Sequence, residues 1–389
     1  MIKTKLERFL MNRRCTLLGV GPMSKNCVDA AIDLANEYEI PIMLIASRRQ
    51  IDAEVFGGGY VNNWSTERFA QYVIDRDKKG KIILARDHGG PWQNSLEKEE
   101  RLSLKRAMDF AKTSFKVDIE SGFEIIHIDT SVDIFGSPSM EEILLRLFEL
   151  YEFCWEIARK YNREILFEIG TEEQNGNVNS SEELEYIIYQ VTQFCNNNHL
   201  PMPSFVVAQT GTKVMETRNV GSFDSPFRIV DELPSEIQIP KIIDICNKHH
   251  IYLKEHNADY LSEEALSWHP KLGIHAANVA PEFGVTETKA FLSLLHTHNL
   301  EDLSKQFIQL VNTSKKWEKW MLPNSTAGEK EKAIIAGHYM FADARFIEVK
   351  KAAQIELQSK NIDIDEYLKM AIKQSILRYL KNFRMLSIS

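Results

Sequence analysis

Eight short runs rich in Val, Ile, Leu and Phe, each of five to eight residues, recur along this chain and constrain its fold more than any other feature. They are TLLGV (16–20), IMLIAS (42–47), KIILARDH (81–88), EIIHIDTS (124–131), EILFEIGT (164–171), SFVVAQTG (204–211), IYLKEHNA (251–258) and KLGIHAAN (271–278). Runs of this length and composition, held apart by longer stretches, read as strands buried on both faces. Stretches of helical period at 28–38, 66–79, 96–121, 140–162, 181–198 and 239–248 stand between most of them. Alternation of strand and helix demands parallel pairing through right-handed crossovers, and eight such units close into a (β/α)8 TIM barrel. A doubly wound sheet is the alternative topology. The segment 259–270 is a short gap, and 214–238 is long and helix-poor.

Beyond the eighth run the chain reads as helices only, with apolar residues at three-to-four spacing over 291–295, 303–311, 330–351 and 364–382 and a loop, PNSTAG, at 323–328. A barrel takes about 250 residues, and the chain has 389. The expected organisation is therefore a barrel over 1–285 and a helical C-terminal extension over 286–389 packed on it.

The chain carries 47 Lys+Arg against 55 Asp+Glu, a net charge of −8, which gives nucleic acid no overall attraction. Its five cysteines show no C-x-x-C spacing, so neither a disulfide framework nor a thiolate zinc site is expected, and a reducing cytoplasm fits. No apolar run approaches the ~18 residues of a membrane span. The basic N-terminal stretch reads as a helix leading into the first strand, not as a targeting segment.

In a barrel of this kind the active site lies at the C-terminal ends of the strands. Those ends here carry Asp87-His88-Gly89-Gly90, Asp129-Thr130-Ser131, Glu168 through Glu172, Gln209, Glu255-His256-Asn257 and Asn278. Each by itself is an ordinary cap or turn former. Gathered at one mouth, such groups are costly to bury without a metal or a polar ligand. His88 and His256 are the histidines that a barrel aims inward, and neutral imidazole suits zinc, with manganese or another divalent ion as alternatives. Glu168, Glu172 and Gln209 are the nearest candidates for a third ligand, Glu168 foremost. His127 and His275 sit mid-strand and read as packing residues.

Such a site points to a metal-assisted lyase or isomerase acting on a hydroxyl-rich carbonyl compound, with Asp87 or Glu172 moving the proton. Asp129 and Gln209 would meet the substrate, and Arg48, Arg49 and Lys213 are the cations placed for a phosphate or carboxylate. The triple glycine Gly57-Gly58-Gly59 serves either a turn or a lid. No nucleotide-binding glycine loop is present, which argues against a kinase.

The runs LARDHGGPWQ (84–93), IHIDTS (126–131), EIGTE (168–172) and EHNADY (255–260) together resemble the so-called non-catalytic subunit family of class II D-tagatose-1,6-bisphosphate aldolase. That family is similar to the metal-dependent class II aldolases, barrels with a zinc held by three histidines. The resemblance implies His88 and His256 as zinc ligands, Asp87 as the acid/base and Asn278 as a substrate contact. Two departures stand out: Gln209 takes the place of the middle histidine, and Asn257-Ala258-Asp259-Tyr260 replaces the phosphate-binding loop. The resemblance thus implies retro-aldol cleavage or C4 epimerisation of a ketose or ketose phosphate. The alternative is an accessory subunit that stabilises a separate catalytic aldolase. Neither reading fixes the oligomeric state, and both allow a homo-oligomer.

Overall fold

The computed structural model describes residues 2–170, 181–208, 210, 212–221 and 235–386. Eight parallel strands form a closed barrel: β1 (Leu17–Val20), β2 (Ile42–Ser47), β3 (Ile82–Gly89), β4 (Ile125–Asp129), β5 (Leu166–Gly170), β6 (Phe205–Ala208), β9 (Tyr252–Glu255) and β10 (Ala276–Val279). The two remaining strands, β7 (Lys213–Met215) and β8 (Arg218–Val220), make a separate antiparallel hairpin in the helix-poor segment after β6. Closure comes from β1 pairing with β10, Leu17 opposite Ala276 and Gly19 opposite Asn278, which excludes the doubly wound alternative. The core of nearly every barrel strand is buried because a layer of helices covers the outer face.

Helices Lys25–Tyr38, Thr66–Arg76, Leu104–Ser121, Met140–Lys160, Ser181–Asn198, Ser235–Lys248 and Glu263–Leu272 supply that layer. Three expectations need correction. The eighth strand begins at Ala276, because Lys271 and Leu272 end a helix, Glu263–Leu272, in the segment expected to be a short gap. The helical stretch 96–121 is two helices, Ser95–Glu99 and Leu104–Ser121, parted where Arg101 takes a φ of +48°. The stretch 330–351 is likewise divided, into Glu329–Ala336, a 3-10 turn at Gly337–Met340 and Ala344–Gln358. No described helix is long and apolar enough to cross a membrane.

After β10 the chain runs into the helix Pro281–Thr297 and then a set of helices with their own apolar cluster around Phe291, Phe307, Phe346 and Leu368. The last helix, Ile364–Asn382, returns to the barrel and packs against Lys25–Tyr38, Pro281–Thr297 and Glu263–Leu272. It therefore fills the place in the outer ring between the first and last crossover helices. Its Ile372, Ile376, Tyr379 and Leu380 belong to the barrel core. Beyond it Phe383 O accepts the Thr16 N–H at 3.0 Å, and the fully buried Phe383 and Met385 pack beside β1.

A buried polar knot locks that helix down. Glu282 accepts hydrogen bonds from the Tyr379 hydroxyl, from Arg378 Nη2 at 2.8 Å and from the Tyr260 amide at 2.5 Å. Asp259 Oδ1 accepts the amides of Ala280 at 3.0 Å and Glu282 at 2.8 Å, at the start of the Pro281–Thr297 helix. Burial and then the Glu282 charge push Asp259 up to about 8, against the two amide bonds that favour its ionised form.

A carboxyl raised above its unfolded value of about 3.9 holds its proton more tightly in the fold. Asp259 therefore makes stability fall as the pH rises from about 4 toward about 8. Asp259→Asn keeps the oxygen acceptor and is expected to remove that slope in urea midpoints measured across the range. Tyr379→Phe strips a donor from a buried carboxylate and is expected to cost about 1–3 kcal/mol at pH 6, with an unchanged denaturant slope.

Candidate active site

Strand alternation decides which side chains enter the barrel. Arg86 of β3 faces outward, where its Nε and Nη2 bind Asp118 on the covering helix, so Asp87 faces inward. The β3–β4 register then shifts between Arg86 and Gly89, and His88 takes a φ of +43°. This bulge turns Asp87 and His88, successive residues, to the same mouth. In β4, Ile126 and Ile128 face the helices while His127 and Asp129 face the interior. In the strand and turn 252–256, Glu255 faces out to pair with His269, which directs Lys254 and His256 inward.

Asp87, His127 and His256 each bring a potential ligand atom to within 4.8 Å of the other two. Asp87 Oδ1 lies 3.5 Å from His127 Nδ1, 3.7 Å from His256 Nε2 and 3.3 Å from Asn278 Nδ2, which donates to it. The other oxygen, Oδ2, lies 3.8 Å from His88 Nε2. The ring of His88 is 4.7 Å from that of His256 and 5.3 Å from that of His127. His88 Nδ1 in turn meets Asp129 Oδ2 at 2.8 Å. Asp129 is itself held by the Ser131 hydroxyl at 2.6 Å, the Ser131 amide at 3.1 Å and Gln93 Nε2 at 3.0 Å.

These contacts separate the protonation states. Burial by itself would lower His88, but the Asp87 charge and the hydrogen bond to Asp129 outweigh it and raise the imidazole to about 9, against Arg49 nearby. Burial, with the charge of His88, lowers His256 to about 4 despite its hydrogen bond to Asp87, which leaves that ring neutral with a lone pair to offer. Burial would raise Asp87, yet the charge of His88 and the hydrogen bonds from His127 and His256 hold it well below the usual carboxylate range.

Two glycines make room for the cluster. A Cβ at Gly170 would stand 2.5 Å from His127 Nε2, and one at Gly19 would stand 2.4 Å from Asn278 Oδ1. His127 Nε2 and Asn278 Oδ1 are both buried and have no hydrogen-bond partner among the described residues.

The structure brings Asp87, His88, Asp129, His256 and Asn278 together. It places Glu168, expected as the third ligand, one inward step deeper, where its carboxylate meets Lys254 Nζ at 2.7 and 3.0 Å and both side chains are buried. A buried Lys–Glu pair of this kind leaves no open carboxylate for a metal. Arg48, expected to bind substrate, is buried and committed to Asp52 Oδ2 at 2.9 Å, Glu97 Oε1 at 2.6 Å and Gly90 O at 2.8 Å. Lys213 lies partly exposed in the β7–β8 hairpin. Glu172 and Gln209 lie outside the described residues. His127, read from the sequence as packing, is instead a member of the cluster. The signal for it was present: His127 shares the inward face with Asp129 two residues on.

No family model matches the sequence, and no curated protein matches it significantly. Several solved structures share its architecture. A probable tagatose 6 phosphate kinase from Sinorhizobium meliloti 1021 aligns over 94% of this chain and 100% of its own at 16% identity, with a TM-score of 0.75. Fructose-bisphosphate aldolase (Fba) from Campylobacter jejuni aligns over 99% of this chain and 94% of its own at 10% identity and a TM-score of 0.56. The YdjI aldolase from Escherichia coli K12 covers 97% of this chain and 95% of its own at 12% identity and a TM-score of 0.51. At these identities the likeness is one of fold.

The Asp129 carboxylate is a main support of the charged His88 ring. In the metal-free chain, Asp129→Asn is expected to bring His88 down from about 9 toward the ordinary imidazole value of about 6.5. A proton NMR titration of the histidine ring signals reads this directly, and an unmoved His88 would contradict the pairing.

Proposed function

We propose that the chain is an enzyme of aldol type, cleaving or epimerising a ketose or ketose phosphate, with a divalent metal, zinc foremost, held at the barrel mouth by Asp87, His127 and His256. The observation that carries this reading is the convergence of two imidazoles and a carboxylate on one buried point, with ligand atoms within 4.8 Å of one another. Tetrahedral bonds of about 2.1 Å hold ligand atoms about 3.4 Å apart, close to the 3.7 Å separation between Asp87 Oδ1 and His256 Nε2. A third protein ligand from β4 would make good the histidine that Gln209 lacks. The aldolase neighbours support the same chemistry through the fold alone.

Bound there, a divalent cation supplies a Lewis acid that polarises a ketose carbonyl and its adjacent hydroxyl. The remaining work falls to the chain. His88, raised and aimed by Asp129, is the group that carries a proton to or from the substrate, with its Nε2 facing the mouth. Asn278 donates to Asp87 and fixes that carboxylate at the mouth. Asp129 acts through His88 as a positioning residue. The resemblance exchanges two of these roles, with His88 as ligand and Asp87 as the acid/base, and the same experiment separates the assignments.

Elemental analysis of the purified chain is expected to find stoichiometric divalent metal. His127→Ala and His256→Ala are expected to lose both metal and ketose cleavage or epimerisation while retaining their circular dichroism. His88→Ala is expected to keep the metal and lose at least about 10²-fold in rate. Loss of metal from His88→Ala would restore the roles that the resemblance implies. A wild-type chain without metal, and without turnover when zinc or manganese is added, would overturn the enzymatic reading in favour of an accessory subunit.

A further inference from the structure

Arg48, which directly follows β2, meets no substrate, yet its buried guanidinium reaches the site from behind. Of its three contacts, the one with Gly90 lies nearest the chemistry. Gly90 stands two residues past His88, just beyond the bulge that turns Asp87 and His88 to one mouth. Its backbone lies hard against β4, since a Cβ there would stand 1.9 Å from Asp129 O. Only glycine allows that approach. From the β2 side, Arg48 Nη1 donates to Gly90 O at 2.8 Å and fixes the turn between the two neighbouring strands.

The other two contacts hold the loop that follows. Nη2 pairs with Glu97 Oε1 at 2.6 Å, and Glu97, in the short helix Ser95–Glu99, also accepts the amide of Trp92. Nε pairs with Asp52 Oδ2 at 2.9 Å, and the same oxygen accepts Asn94 Nδ2 at 2.8 Å. Asp52 is held in turn by the Ser114 hydroxyl, which reaches its other oxygen at 2.6 Å. Trp92 and Asn94 are thus both tied to Arg48 through one carboxylate each. Between them stands Gln93, whose Nε2 reaches Asp129 Oδ2 at 3.0 Å. That oxygen is the one that meets His88 Nδ1 at 2.8 Å.

Arg48 therefore bears on the His88–Asp129 pair by two routes, through Gly90 and through Gln93. A buried guanidinium is tolerated only where partners compensate its charge and its donors. Its planar fork holds three acceptors at fixed angles, which a lysine ammonium on a flexible stem does not do. The arrangement leaves the loop after β3 little freedom to shift away from Asp129.

We propose that Arg48 is a positioning residue for His88, holding the end of β3 and the loop after it so that Gly90 and Gln93 set the Asp129 carboxylate against the imidazole. The inference rests on the aldol-type reading only in taking His88 as the group that carries the proton.

Arg48→Lys keeps the charge and loses the fork. Gln93→Met cuts only the last link to Asp129 and leaves the Arg48 contacts whole, so it serves as the test where Arg48→Lys does not fold. Crystal structures of the two variants are expected to show the His88 Nδ1–Asp129 Oδ2 separation opened beyond about 3.5 Å, with Asp87, His127 and His256 in place. In ketose cleavage or epimerisation, kcat is expected to fall at least about tenfold with KM held within about twofold. Added to Asp129→Asn, Arg48→Lys is expected to cost less than about twofold more, because both changes act through His88. An unchanged separation in Arg48→Lys, or in Gln93→Met where Arg48→Lys does not fold, overturns the positioning role, and so do fully additive losses in the double variant. A wild-type chain without turnover sinks the aldol-type reading by itself, and the crystallographic separation then decides the inference.

Discussion

Closure of eight parallel strands, completed where Leu17–Val20 pairs with Ala276–Val279, sends alternate side chains of each strand into one shared interior. Polar groups in such a space must satisfy one another or hold something that does. Deeper in the barrel the first solution is used, as Glu168 and Lys254 neutralise each other. At the mouth Asp87, His88, His127, His256 and Asp129 converge, and buried ring and amide atoms at His127 and Asn278 lack partners among the described residues. The deeper level is a structural ion pair, and the mouth is the candidate site.

The same closure gives the C-terminal helices their work. A barrel whose first and last strands meet leaves an uncovered outer face between the first and last crossover helices, and Ile364–Asn382 covers it with Ile372, Ile376 and Tyr379. Glu282, Asp259 and Arg378 join that helix to the turn that follows β9, a few residues beyond His256. The segment leading up to it sets Tyr339 edge-on against Tyr60 in the loop after β2. Helices that look like an appendage in sequence are thus bound into both the core and the rim of the mouth.

How far the site could be read in advance depended on whether its logic was local. The Asp87-His88 pair, Asp129 and His256 were legible because several polar residues at the ends of apolar strands converge on one mouth, where burying them together is costly. His127 was not, because a single histidine between Ile126 and Ile128 looks like packing until alternation is followed through to Asp129. Arg48 and Glu168 were misjudged for the opposite reason. Their charges looked available, and only distant neighbours, Glu97 and Asp52 for one and Lys254 for the other, consume them. The bulge at Asp87 and His88 also had no sequence mark, since it arises from the register between β3 and β4.

The order of apolar runs and helical stretches by itself determined the barrel, its eight strands and the end at which chemistry gathers, because periodicity and chirality are properties of the local chain. The hairpin after β6, the helix Glu263–Leu272 and the breaks in two long helical stretches were decided elsewhere. So was the assignment of each charge, whether to a buried ion pair, to a histidine dyad or to the open mouth. Those outcomes depend on which residues far apart in sequence come within a few ångströms of each other, and only the closed tertiary structure sets those distances.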